Sequence, residues 1–400
     1  MSAPTVLPGR RRLLQFASAL LLTACAGRPP QRPDDEEARR RFTERGYLPT
    51  LPHREESFRD TWQVDGEDLT LELLLPRGLG HAPLVLYLPG LGEPPGAGQA
   101  WRQSWAQAGY AVASFHSAAG TGVWSSPAAR RGDFSAIARE QFGSAALARR
   151  IRQARLVLDG IAQRSGQPPY RHIDLRHIAL AGFDLGAQTA LAFAGERHTG
   201  LTEEANAALA LPALDAVIAL SPPVRGAQDE PEGRFGAIRL PLLLLTGRDD
   251  ADPLDPALAP QQRQLPYRYL PPGDKYLLVL AQGAHRTLSG SAQPTAGRDE
   301  RPAGGPSGGR GPGGGAGGPP GGGAGGFGGG AGGPGGSRGG RPPGGGAPDG
   351  ADDARREQTI LTQVSLAFLD AALKDGGRAR EWLARDVSHW IGDAGTWQAK

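Results

Sequence analysis

Three side chains of types that do chemistry together stand at comparable places in this sequence. They are Asp184, one of the carboxylates Asp249, Asp250 and Asp252, and His285. A carboxylate can attack carbon and leave an ester, and an imidazole can activate the water that breaks it. Asp184 follows the apolar run Ile178-Ala179-Leu180-Ala181, within Gly182-Phe183-Asp184-Leu185-Gly186, and an Ala- and Leu-rich stretch over 187–194 comes next. The pattern predicts a buried strand, a tight G-x-x-x-G turn and a helix. The glycines let the helix begin hard against the strand end, where a Cβ would clash. The middle residue is then pushed up at the top of the strand. The backbone N–H of its neighbour Leu185 is aimed at the same point.

The elements that position these residues alternate in type. Residues 58–64 and 69–76 are strand-like and flank Asp65-Gly66, a hairpin signal. Residues 84–88 form a continuous apolar run, as a central parallel strand does, and end in Pro89-Gly90-Leu91-Gly92. A helix is predicted over 99–109, with Trp101 and Trp105 facing the core, then a strand over 110–115 ending at His116-Ser117. The Gly-, Ser- and Arg-rich loop 118–132 is placed to flank a pocket. One long crossover helix over 134–163 follows, with Ile151, Ala154, Val157, Leu158 and Ile161 at helical spacing. Later strands over 216–220, 240–245 and 276–280 end at Ser221-Pro222-Pro223, at Gly247-Arg248-Asp249-Asp250 and at Gly283-Ala284-His285. This alternation predicts a doubly wound, mostly parallel sheet with helices on both faces, in a domain over 46–290.

The ends of the chain differ in kind. Arg10-Arg11-Arg12 precedes a short apolar stretch that is too short to span a bilayer and closes on Leu22-Thr23-Ala24-Cys25. Residues 1–24 thus have the form of a signal peptide. Residues 25–45 are polar and read as a tether, with room for a short helix. Over 291–352 the composition collapses: 28 of the 61 glycines lie in 301–350, which cannot bury a core and predicts disorder. The fold resumes with an amphipathic helix over 357–374 that carries Ile360, Val364, Phe368 and Leu369. Without residues 1–24 the chain holds 41 basic and 41 acidic residues, and it has no polybasic tract, which argues against nucleic acid as a partner. Cys25 is the single cysteine, so no disulfide forms within the chain and no cysteine-based metal site is available. Neither a cofactor nor a metal is expected; the expected partner is a small-molecule substrate or ligand.

Leu22 to Cys25 resembles the lipobox of bacterial lipoproteins. That resemblance implies acylation of Cys25 and anchoring in the cell envelope, with Ala26 favouring the outer membrane. Residues 9–14 also resemble a twin-arginine signal, so the export route stays open between that and the general one. The span 46–290 with the C-terminal helix resembles the α/β-hydrolases, in the group of the dienelactone hydrolases and platelet-activating-factor acetylhydrolase-like enzymes. Gly182 to Ala187, Ala219 to Pro223 and Gly283-Ala284-His285 stand for that group's G-H-S-F-G-A, A-L-S-P-P and G-A-x-H strings. The resemblance implies an α/β-hydrolase fold without a large cap, since only 224–239 separates two strands where a cap would sit. It implies ester hydrolysis, and nucleophile, acid and base in the order Asp184, Asp250, His285, with Asp249 and Asp252 as alternatives for the acid. It also implies an oxyanion hole from the N–H groups of Leu185 and Leu91.

The departure is at the nucleophile, where the family carries Ser and this chain carries Asp184. Three readings follow. Asp184 attacks an sp3 carbon, as in the haloalkane dehalogenases and epoxide hydrolases of this superfamily, although those carry a Trp after the Asp, where Leu185 stands here, and a large helical cap, where this chain has only 224–239. It takes part in acyl transfer through a mixed anhydride. Or it is an N-cap in a protein that has lost catalysis and binds a ligand. A route through Ser221 or Ser117 is a further alternative.

Overall fold

The computed structural model describes residues 33–94, 96–226, 229–291 and 349–400. The signal peptide, Cys25 and nearly all of the Gly/Pro-rich segment lie outside the described residues. Nine strands form one sheet: β1 (Glu55–Val64), β2 (Glu67–Pro76), β3 (Ala82–Leu88), β4 (Ala111–Ser117), β5 (Ile173–Phe183), β6 (Ala216–Leu220), β7 (Leu242–Gly247), β8 (Lys275–Leu280) and β9 (Gly395–Ala399). They lie in the order β1-β2-β4-β3-β5-β6-β7-β8-β9. Neighbours from β4 through β8 are parallel, and β1, β2 and β9 add antiparallel edges. The β1–β2 hairpin turns at Asp65 and Gly66, with φ of 53° and 79°. Two left-handed residues are what a two-residue turn between twisted strands requires.

The central strands are mostly apolar because helices cover both faces of the sheet. Side chains alternate across β3: Leu84, Leu86 and Leu88 join one core, while Val85 and Tyr87 join the other. The first core is closed by the helices Ser144–Gln163 and Leu185–Phe193, through Ala154, Val157, Ile161 and Leu191. The second is closed by the helices Gln99–Gln107 and Asp349–Leu373, through Trp101, Trp105, Val364 and Phe368. From β3 the chain crosses outward to β4; from β5 it proceeds the other way to β6. The crevice beyond the carboxyl ends of β3 and β5 is therefore a topological switch point, where ligands bind in open α/β sheets.

Several expectations need correction. Residues 33–45 form a helix docked on the domain, not a free tether. Phe42 stacks on Trp390 at 4.7 Å, and Arg39 reaches Asp352 at 2.7 Å. The single helix expected over 134–163 is two, Phe134–Phe142 and Ser144–Gln163, because Gly143 is extended at φ −68°, ψ 159°. The closing helix begins at Asp349, inside the stretch expected to be disordered. The sequence showed only Trp-bearing closing segments where β9 pairs with β8 and Trp397 stacks on Tyr276 at 5.3 Å. Among the described residues no helix is long and apolar enough to cross a membrane.

Candidate functional site

The elbow follows from steric exclusion. A Cβ on Gly182 would lie 2.3 Å from the backbone of Gly186, and one on Gly186 would lie 2.0 Å from the carbonyl oxygen of Leu88. Between them Asp184 takes φ 47°, ψ −109° and is 3% exposed. A non-glycine residue held in such a sparsely populated region costs on the order of 1–3 kcal/mol. Asp184 sits at the N-cap of the Leu185–Phe193 helix, yet its side chain makes no capping hydrogen bond. The capping account of this residue therefore lacks its defining contact. The carboxylate instead meets the Leu91 N–H, which donates to Oδ2 at 3.5 Å. Leu185 is the first helical residue, so its own N–H has no partner within the helix.

Asp250 and His285 are brought together. Asp250 is fully buried after β7, and its Oδ1 lies 2.8 Å from Nδ1 of His285. Thr246 donates to its Oδ2 at 2.7 Å, and Arg263 Nε donates to its backbone carbonyl at 2.9 Å. Asp249 is exposed, and Asp252 is taken up by an ion pair with Arg225, so neither alternative holds the imidazole. The His285 ring packs on Phe183, the residue before Asp184, at 4.7 Å. With Nδ1 engaged by Asp250, Nε2 is the nitrogen free for proton transfer.

Ser221 is tied to the Asp250–His285 pair. Its hydroxyl is fully buried and donates to Asp250 Oδ1 at 2.7 Å, with His285 Nδ1 at 2.8 Å, the same nitrogen the acid holds. It pins the acid–imidazole pair from a backbone at φ 50°. Ser117 accepts from the Gly120 N–H at 3.1 Å. His116 lines the cavity beside the elbow, and burial holds its imidazole below the usual value.

That cavity has a volume of about 300 Å3 and is walled by Leu91, Glu93, His116, Arg150, Leu185 and Thr189 among others. Residues 118–132, expected as a loop, form short helical turns instead and flank it through Gly120 and Thr121. Val123 and Ile137 pack with Leu91, Leu185 and Leu254 into a small apolar cluster. A larger cavity, of about 830 Å3, lies between the Pro33–Arg45 helix and the Asp349–Leu373 helix and holds none of these residues.

The charges around the elbow are unequal. Burial holds the Asp184 carboxyl above the usual carboxylate range; His285, Arg263 and the Leu91 N–H pull it back, and Asp252 pushes it further up. Glu93, which sequence reasoning missed, is pushed up to about 7, first by burial, with the Asp184 charge adding to it. The Gly90 N–H donates to its Oε2 at 2.8 Å and Ser291 Oγ to its Oε1 at 3.1 Å; both bonds, and the His285 charge, oppose that rise. The Arg150 guanidinium donates only to neutral acceptors, Thr189 Oγ1, the Gln141 carbonyl and Gln188 Oε1. Burial and the neighbouring Arg149 push it down to about 9. Arg263, also missed, is buried and ties the Ser221 and Pro222 carbonyls to the Asp250 turn. Among the described residues no cluster of His, Cys, Asp and Glu could hold a metal ion. No family model and no curated protein matches the chain, so its functional reading rests on this geometry.

Proposed function

We propose that this chain is a hydrolase of the α/β-hydrolase kind that uses Asp184 as a nucleophile on an sp3 carbon. The carrying observation is a buried carboxylate kept in a strained elbow without a capping bond, with the Leu91 N–H directed at it. The strand order and the Asp250–His285 pair support the same reading. An oxygen of Asp184 attacks carbon, the leaving group departs with the bonding pair, and an alkyl ester remains. His285 then takes a proton from water through Nε2, and the water attacks the ester carbonyl carbon of Asp184. The N–H groups of Leu91 and Leu185 hold the oxyanion that forms there. Asp250 orients the imidazole and balances its charge. Ester cleavage by acyl transfer is less well supported, since it would run through an anhydride and gain nothing from His285 at the first step. The proposed setting is the cell envelope, with Cys25 as the lipid anchor.

A ligand-binding protein without turnover is the second reading, favoured by the 3% exposure of Asp184. A substrate panel separates the three. Purified protein is incubated with 1,2-epoxybutane, 1-bromobutane and p-nitrophenyl butyrate. Turnover of the epoxide or the bromide well above that of the ester is expected. Fast ester cleavage with neither of the others would reject the sp3 reading, and no turnover of any would favour the binding protein.

A further inference from the structure

We propose that Glu93 is the acid that protonates the leaving oxygen when Asp184 opens a carbon–oxygen bond, so that the substrate class is an epoxide. The inference rests on the Asp184 reading and deepens it. Displacement at carbon needs the nucleophile on one side and help for the departing atom on the other, so the two groups must come from different elements. Here they come from the two sides of the switch-point crevice: Asp184 ends β5, and Glu93 lies in the loop that ends β3, two residues beyond Leu91. Glu93 lines the cavity that reaches Leu91 and Leu185, and its carboxyl is pinned there by Gly90 and Ser291.

The charged groups around Glu93 divide the labour. Asp184 faces it from the elbow and His285 from the short helix after β8, while buried Tyr87 approaches from β3. His116, Arg149 and Arg150 share the cavity wall. Burial raises both carboxyl groups; His285, Arg263 and the Leu91 N–H pull Asp184 back towards its ionised form, while Glu93 keeps its proton up to about 7. A nucleophile–acid pair needs the two carboxyl groups in different protonation states, with Asp184 ionised and Glu93 carrying the proton. In the forward step the Asp184–carbon bond forms and the carbon–oxygen bond breaks. The oxygen takes the electron pair and the Glu93 proton, becoming a hydroxyl. In the second step water gives one proton to His285, which passes it to the departing alcohol oxygen, and the other is released as Asp184 returns to its carboxylate. That proton restores Glu93, so epoxide plus water yields diol.

The test compares a leaving group that needs a proton with one that does not. The rate of alkyl-ester formation on Asp184 is followed by intact-protein mass for 1,2-epoxybutane and 1-bromobutane, in the wild type, in Glu93→Gln and in Ser291→Ala. The Glu93→Gln change should lower the epoxide rate relative to the bromide rate by ~10²-fold or more, the range of general-acid assistance. The wild-type epoxide rate should fall as pH rises through about 7, where Glu93 loses its proton. Ser291→Ala removes a donor that stabilises the charged form, so it should move that falling limb to higher pH. An unchanged epoxide-to-bromide ratio in Glu93→Gln, or the same falling limb persisting there, would overturn the role of Glu93 while leaving Asp184 in place. Failure of both substrates to label Asp184 would overturn the nucleophile reading and this inference with it.

Discussion

His285→Gln should stop the reaction after its first chemical step and leave the protein carrying an intact alkyl ester on Asp184. The first step needs an ionised carboxylate and a carbon with a leaving group; the change withdraws one charge that favours that carboxylate but leaves Arg263 and the Leu91 N–H in place. The second needs a base within reach of the attacking water, and the imidazole held by Asp250 through Nδ1 is the group so placed. Glutamine keeps a polar side chain of similar reach but cannot take the proton. General-base assistance is worth ~10²–10⁴-fold, so turnover of 1-bromobutane should fall by about that factor. Intact-protein mass should show the gain of one butyl group, stable over the time in which the wild type completes many turnovers. A variant that loses turnover without acquiring the group would place His285 in the first step and contradict a role confined to the second.

Gly186→Ala should cost about 3–5 kcal/mol of folding free energy, at or beyond the upper end for overpacking, because its Cβ meets backbone and not a yielding side chain. The added atom would lie 2.0 Å from the Leu88 carbonyl oxygen and 2.8 Å from that of Pro89. Leu88 ends β3, which is hydrogen-bonded to strands on both sides and cannot retreat. A loss of that size approaches the whole stability of many domains, about 5–15 kcal/mol. Gly166→Ala is the control, since a Cβ there meets nothing within 4 Å. Urea unfolding should show a lowered midpoint for the first and little change for the second. A Gly186→Ala midpoint equal to the wild type would mean that helix and strand do not approach as closely as described.

The parts of this site that were legible in the sequence are the local ones. The apolar runs mark β3, β5, β6, β7 and β8 because strands covered on both faces leave little room for polar side chains. Gly182 and Gly186 are readable because a strand that turns at once into a helix excludes any Cβ. His285 and the Asp249–Asp250 turn are readable because each directly follows a strand. The choice of Asp250 over its neighbours was not settled by sequence, because it depends on which side chain the turn rotates inward towards Thr246 and Arg263. Arg263 and Glu93 carry no local signal at all. Arg263 acts across more than forty residues on the end of β6, and Glu93 gains its character from burial and from Ser291, almost two hundred residues away. The Pro33–Arg45 helix was hidden for a related reason. Its charged composition reads as solvated, and only Phe42 against Trp390 reveals the docking face.

The most direct test of Asp184 as nucleophile is a single turnover of 1,2-epoxybutane by excess enzyme in water carrying the heavy oxygen isotope. The peptide containing Asp184 is then analysed by mass spectrometry. If Asp184 forms the ester, water attacks its carbonyl carbon, and the first heavy oxygen must enter the Asp184 carboxylate while the diol takes an oxygen already in the protein. The account predicts label in Asp184 and none in the first-turnover diol. Label in the diol with Asp184 unlabelled would contradict it, because water would then have attacked the substrate carbon directly.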